Sequence, residues 1–228
     1  DDKLVIVEKR GRYKAFPALL PASVNSLGEF YLIRVGDVSR VAGFDSQLIL
    51  LEPKDTLRYG RLLWAEINSG LILKARTVNE RNETIEQFAF TQLQINVPIN
   101  KETLKPRFGA ESTAWRIHNA QASQSLSAGG GWLFKAQLPG FKKSAGMKRQ
   151  ASQGGTAETT HFIFTDGLSS ISLFIEPLAD RKAEQATYSV GAINVYKRET
   201  DNHLLTVLGE VPMATLLRLG DGMELKKK

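Results

Sequence analysis

Between residues 29 and 97 short apolar runs recur at a spacing of about ten residues, each closed by a turn signal, and that rhythm fits an antiparallel β meander. EFYLIRV is followed by SQLILLE, RYGRLLWAEI, the turn Asn68-Ser69-Gly70, LILKARTV, the polar loop NERNE and TIEQFAFTQLQI. Leu71, Leu73 and Ala75 alternate with Lys74 and Arg76, as in a sheet with one wetted face. Phe88 and Phe90 share a face of the last strand, and Leu62 and Trp64 share a face of theirs. Leu63, Ile67 and Ile85 add bulk to the opposite faces, so this sheet needs a cover: helices, a ligand or a partner.

Pro98 closes the meander, and SQSLSAGGG further on has the Ser/Gly content of a flexible linker. These signals predict a first domain over 1–100, a linker over 101–130 and a second domain over 131–228. In the second block WLFKAQL, FKKSAGMKRQ, TYSVGAINVYKRE and NHLLTVLGEV read as strands, LPGF as a turn and ASQGGTAE as a loop. In HFIFTDGLSSISLFIEP, Asp166-Gly167 marks a two-residue hairpin turn, since both positions accept positive φ. Pairing outward puts Phe162 opposite Ile171, Thr160 opposite Leu173, Ile163 opposite Ser170 and His161 opposite Ser172. His161 then lies on the wet face. Pro212 fits a first helical position, Met213, Leu216 and Leu217 form an apolar stripe, and Gly220 reads as the stop. The sequence predicts a mainly β, α+β protein.

The 228 residues and 42% hydrophobic content suit a globular chain with workable cores. No apolar run approaches the ~20 residues of a membrane-spanning helix, no signal peptide is visible, and the opening DDKLVIVEKR reads as a strand. The absence of cysteine removes disulfides, thiol catalysis and thiolate metal sites. His118, His161 and His203 lack ligand spacing. Net charge is +6, with 16 basic and 13 acidic residues in 1–110 and 14 and 11 in 111–228. The excess is +3 in each half, so it is spread rather than focused as nucleic-acid binding requires. A mild basic bias favours an anionic partner or a lipid headgroup. No phosphate-binding glycine pattern, nucleophile elbow or zinc-protease motif occurs. A triad composed from His203, Asp166 and one of many serines is expected by chance. The residues alone point to a two-domain, β-rich binding protein with no cofactor and no catalysis.

RLLWAEINSGLILKARTVNERNETIEQFAFT, residues 61–91, resembles the MucB/RseB family, periplasmic negative regulators of the sigma-E (AlgU-type) envelope-stress response. Trp64, Leu71, Leu73, Glu86, Gln87 and Phe88 carry the likeness. In the second block Leu138-Pro139-Gly140-Phe141, Asp166-Gly167-Leu168 and Gly209-Glu210-Val211-Pro212 continue it in the family's order. The resemblance implies a first domain similar to the lipoprotein carriers LolA and LolB, a curved antiparallel sheet closed by helices around an apolar cavity. It implies a small second domain that holds the periplasmic tail of a membrane anti-sigma factor of the RseA/MucA type. That tail would be shielded from site-one protease and released on sensing lipopolysaccharide, lipid A or mislocalised lipoprotein. Family members begin with a helix and several strands ahead of the point where this sequence starts, so the N-terminal part of the first domain is expected to be missing.

The alternative reading is a periplasmic lipid or lipoprotein carrier of LolA type. Trp64, Phe88 and Phe90 are the expected acyl-chain surface, and Lys142, Lys143, Lys148 and Arg149 the expected partner surface. Expected partners are the anti-sigma segment and a lipid or acylated lipoprotein, with a homo-oligomer also open and no nucleic acid.

Overall fold

The computed structural model describes residues 4–8, 20, 24, 26–105, 116–120, 123–124, 131–150, 158–178 and 185–226. The chain runs β1 (Leu4–Glu8), α1 (Leu27–Phe30), β2 (Tyr31–Val41), β3 (Phe44–Pro53), β4 (Gly60–Glu66), β5 (Ile72–Val78), β6 (Thr84–Ala89), a 3-10 turn (Lys101–Leu104), β7 (Arg116–Ala120) and β8 (Ser123–Gln124). It continues through β9 (Trp132–Phe134), β10 (Lys142–Gln150), β11 (Glu158–Thr165), β12 (Ser170–Pro177), β13 (Ala186–Val190), β14 (Ile193–Thr200), β15 (His203–Gly209), α2 (Met213–Asp221) and β16 (Met223–Leu225). The mainly β class read from the sequence is the class observed. Residues 101–130, expected as linker, contribute the 3-10 turn and β7 and β8; the GG pair at 129–130 and most of the ASQGGTAE loop lie outside the described residues.

The meander is a five-stranded antiparallel sheet in the order β2-β3-β4-β5-β6. Its turns follow local chemistry. Ala42-Gly43 joins β2 to β3 with positive φ at both positions, the requirement of a tight twisted hairpin. After β4, Glu66 turns back on its own loop: its carboxylate accepts from the Asn68 backbone at 3.1 Å, the Asn68 side chain at 3.0 Å and the Ser69 backbone at 2.6 Å. One face carries Leu51, Leu63 and Ala75, packed with Leu27 and Tyr31 into a small core.

The second block forms a seven-stranded sheet in the order β13-β14-β15-β12-β11-β10-β8, every pair antiparallel. Phe162, Phe164, Ile171, Leu173, Leu205 and Val207 fill its inner face under Leu216 and Leu219 of α2 and Trp132 and Met223 of the β9–β16 pair.

Three expectations need correction. The β11–β12 hairpin closes over a four-residue loop, with Thr165 opposite Ser170, Phe162 opposite Leu173 and Phe164 opposite Ile171. A shift of two residues keeps every side chain on its expected face, but it brings Phe174 instead of Ser172 opposite His161. His161 is therefore buried, stacked on Phe174 with ring centroids 4.0 Å apart. TYSVGAINVYKRE is two strands rather than one, because Gly191-Ala192 forms a tight turn with Gly191 at φ +60°. Finally, Gly220 lies inside α2, which runs to Asp221 and is capped at Gly222.

Gly220 stays in the helix for a steric reason. A Cβ there would stand 2.7 Å from Cε1 of Tyr196, a buried ring whose hydroxyl donates to Asp221 at 2.7 Å. Helix propensity favours alanine over glycine by about 1 kcal/mol, but overpacking costs about 1–3 kcal/mol. Gly220→Ala is expected to lower the urea midpoint; a rise would show that Tyr196 moves aside.

Hydrogen bonding from Ser69 and Asn68 holds the Glu66 carboxyl down from 4.5 to about 2. A lowered folded value contributes stability that is complete above pH 4.5 and is lost as pH falls toward 2. Glu66→Gln should flatten the melting-temperature profile across that interval, and a profile parallel to the parent's would exclude the assignment.

Candidate functional site

The link between β3 and β4 is Lys54–Tyr59, and it does not stay with its own sheet. Asp55 bends it by accepting from the Leu57 backbone at 3.0 Å. Three successive side chains then enter the second block. Leu57 joins the core of the seven-stranded sheet, and its carbonyl accepts from the Thr215 hydroxyl of α2 at 2.9 Å. The Tyr59 hydroxyl accepts from Asn194 at 2.9 Å, and the same amide donates to the Val211 carbonyl at 2.8 Å.

Arg58, between them, is 1% exposed. Its guanidinium donates twice to Asp55, at 3.0 Å each, to Asp166 at 2.8 Å and to the Pro139 carbonyl at 2.5 Å. The rings of Phe30 and Phe141 lie 4.8 and 4.9 Å from its central carbon, with Tyr31 at 5.6 Å. The two turns read from the sequence build this pocket. Leu138–Phe141 is a turn closed by Phe141 donating to Leu138, with Gly140 at φ +85°; a Cβ at Gly140 would meet the Phe30 ring at 2.9 Å. Asp166 is equally committed. One oxygen accepts from the Leu168 and Ser169 backbone at 2.9 and 2.8 Å, and the other accepts from Arg58 and from the Tyr31 hydroxyl at 2.8 Å. Burial first, then the Asp166 carboxylate, raises the Tyr31 phenol well above its ordinary value.

Beside this junction the two sheets leave a cleft of about 340 Å³. Leu63, Ala75, Thr77, Glu86 and Phe88 line one wall, and Leu168, Ile193, Leu208 and Glu210 the other. Arg61 crosses it to Glu210 at 2.8 Å and also donates to Thr77. Burial, then the charge of Glu210, raises the Glu86 carboxyl, partly offset by Arg61.

The residues expected to hold an acyl chain are not on one surface. Phe88, 48% exposed, faces the cleft. Trp64 is on the opposite face, cross-strand from Leu48, with the Lys74 ammonium 4.4 Å and the Arg76 guanidinium 5.4 Å from its ring centroid. Phe90 is half-buried just past β6. Of the expected partner surface, Lys142 is exposed, whereas the Lys143 ammonium lies 4.4 Å from the Phe162 ring centroid. The side chains of Lys148 and Arg149 lie outside the described residues. Sequence reasoning passed over Arg58, Tyr59 and Asn194. The available signal was EPKDTLRYG, a turn segment richer in large side chains than a surface loop needs.

Removing one partner of a buried ion pair costs about 3–5 kcal/mol, because it strands the other charge. Arg58→Met is expected to cost that much in urea denaturation and to split one cooperative transition into two. Arg58→Lys should recover little, since an ammonium cannot pair bidentately with Asp55 while reaching Asp166 and Pro139. A single transition with an unchanged midpoint would show that the sheets are held together elsewhere.

Residues 1–108 match the model of the MucB/RseB N-terminal domain, and residues 127–224 that of the MucB/RseB C-terminal domain. Sigma factor AlgU regulatory protein MucB of Pseudomonas aeruginosa is 31% identical over 199 residues, which are 86% of this chain and 61% of that protein. Sigma-E factor regulatory protein RseB of Haemophilus influenzae is 24% identical over 213 residues, 90% of this chain and 63% of that protein. The chain thus spans about three-fifths of the length of these curated relatives. The crystal structure of MucB in complex with MucA(peri) superposes with a TM-score of 0.74 at 28% identity, over 91% of this chain and 72% of that one. The Pseudomonas aeruginosa MucA/MucB complex gives 0.74 and 28%, over 90% and 69%. With its two halves matched, in order, to the two domains of one family, this chain belongs to the MucB/RseB family.

Proposed function

We propose that this chain is a periplasmic regulatory binding protein whose partner is the periplasmic segment of a membrane anti-sigma factor. The observation that carries the reading is the likeness to MucB solved with MucA, which extends over nine-tenths of the chain and so takes in both sheets and their junction. Binding shields the segment from site-one protease. Lipopolysaccharide or a mislocalised lipoprotein competes for the regulator and frees the segment. The apolar lining between the sheets supports a role in binding, and the buried Arg58 junction supports action of the two sheets as one unit.

The test is calorimetric titration of the whole chain with the MucA periplasmic domain, because the second sheet takes Leu57 of the first block into its core and is not expected to stand alone. A dissociation constant of about 1 μM or lower is expected. The bound domain should be digested more slowly by a site-one protease, and lipid A micelles should restore the rate. No heat and no co-elution at about 100 μM would sink the regulator reading and move weight to a lipid carrier.

A further inference from the structure

β6 is the last strand of the five-stranded sheet, and among the described residues no strand pairs with its outer edge. Its Glu86 and Phe88 lie two apart, opposite Thr77 and Ala75 of β5, and both face the cleft. An edge strand with free backbone groups is a template for a further strand.

The charges in the cleft are unequal. Arg61 is committed to Glu210 and Thr77. The Glu86 carboxylate forms neither a hydrogen bond nor an ion pair among the described residues. Two carboxylates against one guanidinium leave the cleft locally negative in a chain of net charge +6. The surface at large therefore attracts anions, while the cleft repels them. Next to these polar groups the lining has an apolar part: Phe88 and Ala75 on one wall, Leu168 and Ile193 on the other.

We propose that the cleft holds an extended peptide segment, added as a strand along β6, with a lysine or arginine against Glu86 and an apolar side chain two residues away against Phe88. The spacing follows from strand geometry. Residues two apart share a face, and side chains directly opposite on paired strands lie about 4.5–5.5 Å apart. The apolar side chain enters between Phe88 and Ile193, and the cation returns to Glu86 the countercharge that Arg61 gives to Glu210. Burial and the Glu210 charge hold the Glu86 carboxyl above its ordinary value, and a bound cation relieves that repulsion. This specificity rests on the reading of the chain as a binder of an anti-sigma segment, and names the residue pattern that segment must carry.

The test pairs two ligands. The MucA periplasmic domain is titrated into the whole chain and into Glu86→Gln, an isosteric change on a half-exposed strand. Capped twelve-residue peptides, Gly/Ser throughout except for Leu-Thr-Lys or Leu-Thr-Glu, are titrated into 15N-labelled chain. Glu86→Gln is expected to weaken the MucA domain about tenfold with an unchanged melting temperature. The Leu-Thr-Lys peptide should shift amide signals of β6 and β14, and Leu-Thr-Glu should not. Equal affinity of Glu86→Gln for the MucA domain, or equal shifts with Leu-Thr-Glu, overturns the cleft assignment while leaving the regulator reading in place. If the parent chain fails to bind the MucA domain, that reading falls, and the peptide pair alone supports or overturns the cleft.

Discussion

A guanidinium with no water around it must be neutralised and hydrogen-bonded almost completely, or it does not stay charged and buried. Arg58 meets that demand only because four separate pieces of chain arrive together: its own turn through Asp55, the Pro139 carbonyl, the Asp166 carboxylate, and the rings of Phe30 and Phe141. Nothing local stabilises it sufficiently. The arrangement is therefore all or none, and it binds the two sheets more stringently than apolar contact does, because a partial fit leaves a charge stranded.

The exchange across the junction runs both ways. Leu57 of the first block completes the core of the second, and Leu168 of the second packs on the core of the first. Thr215 and Asn194 then tie α2 and β14 to the same six-residue link. The cleft inherits its shape from this. Its two walls belong to different sheets, and the Arg61–Glu210 pair spans them at a separation the Arg58 junction fixes. A ligand entering between Phe88 and Ile193 meets walls held in place beforehand, which lowers the ordering cost of binding.

What was legible in the sequence was local. The Asn68-Ser69-Gly70 turn and the alternation in LILKARTV placed β4 and β5, because turn residues and period-two patterns act within a few positions. The β11–β12 hairpin was legible up to its register; four loop residues in place of two kept the faces and buried His161. Arg58 was not legible as a junction, since its partners stand 81 and 108 residues away and no local pattern names them. Yet the second-block motifs of the family resemblance, Leu138–Phe141, Asp166–Leu168 and Gly209–Pro212, all lie at that junction. The first two were read as turns and are turns, while the third, read as a strand end followed by a helix start, leads from β15 into α2; their second role became visible only once the first block was set against them. The acyl-chain surface suffered the opposite fault. Trp64 and Phe88 are close in the meander, but they stand on opposite faces.

The contacts that join the two blocks close loops of 81 to 158 residues. Loop-closure entropy is spent before such contacts return anything, so they form late, after the hairpins of each sheet. As the chain leaves the ribosome its first half is complete long before Asp166, Asn194 and Thr215 exist as partners. In that interval Leu57 and the Phe30 ring lack their second-block neighbours, beside an arginine paired only with Asp55. The same link that makes the finished protein one unit is thus the most exposed part of its unfinished form, and the step on which a holding chaperone has most to act.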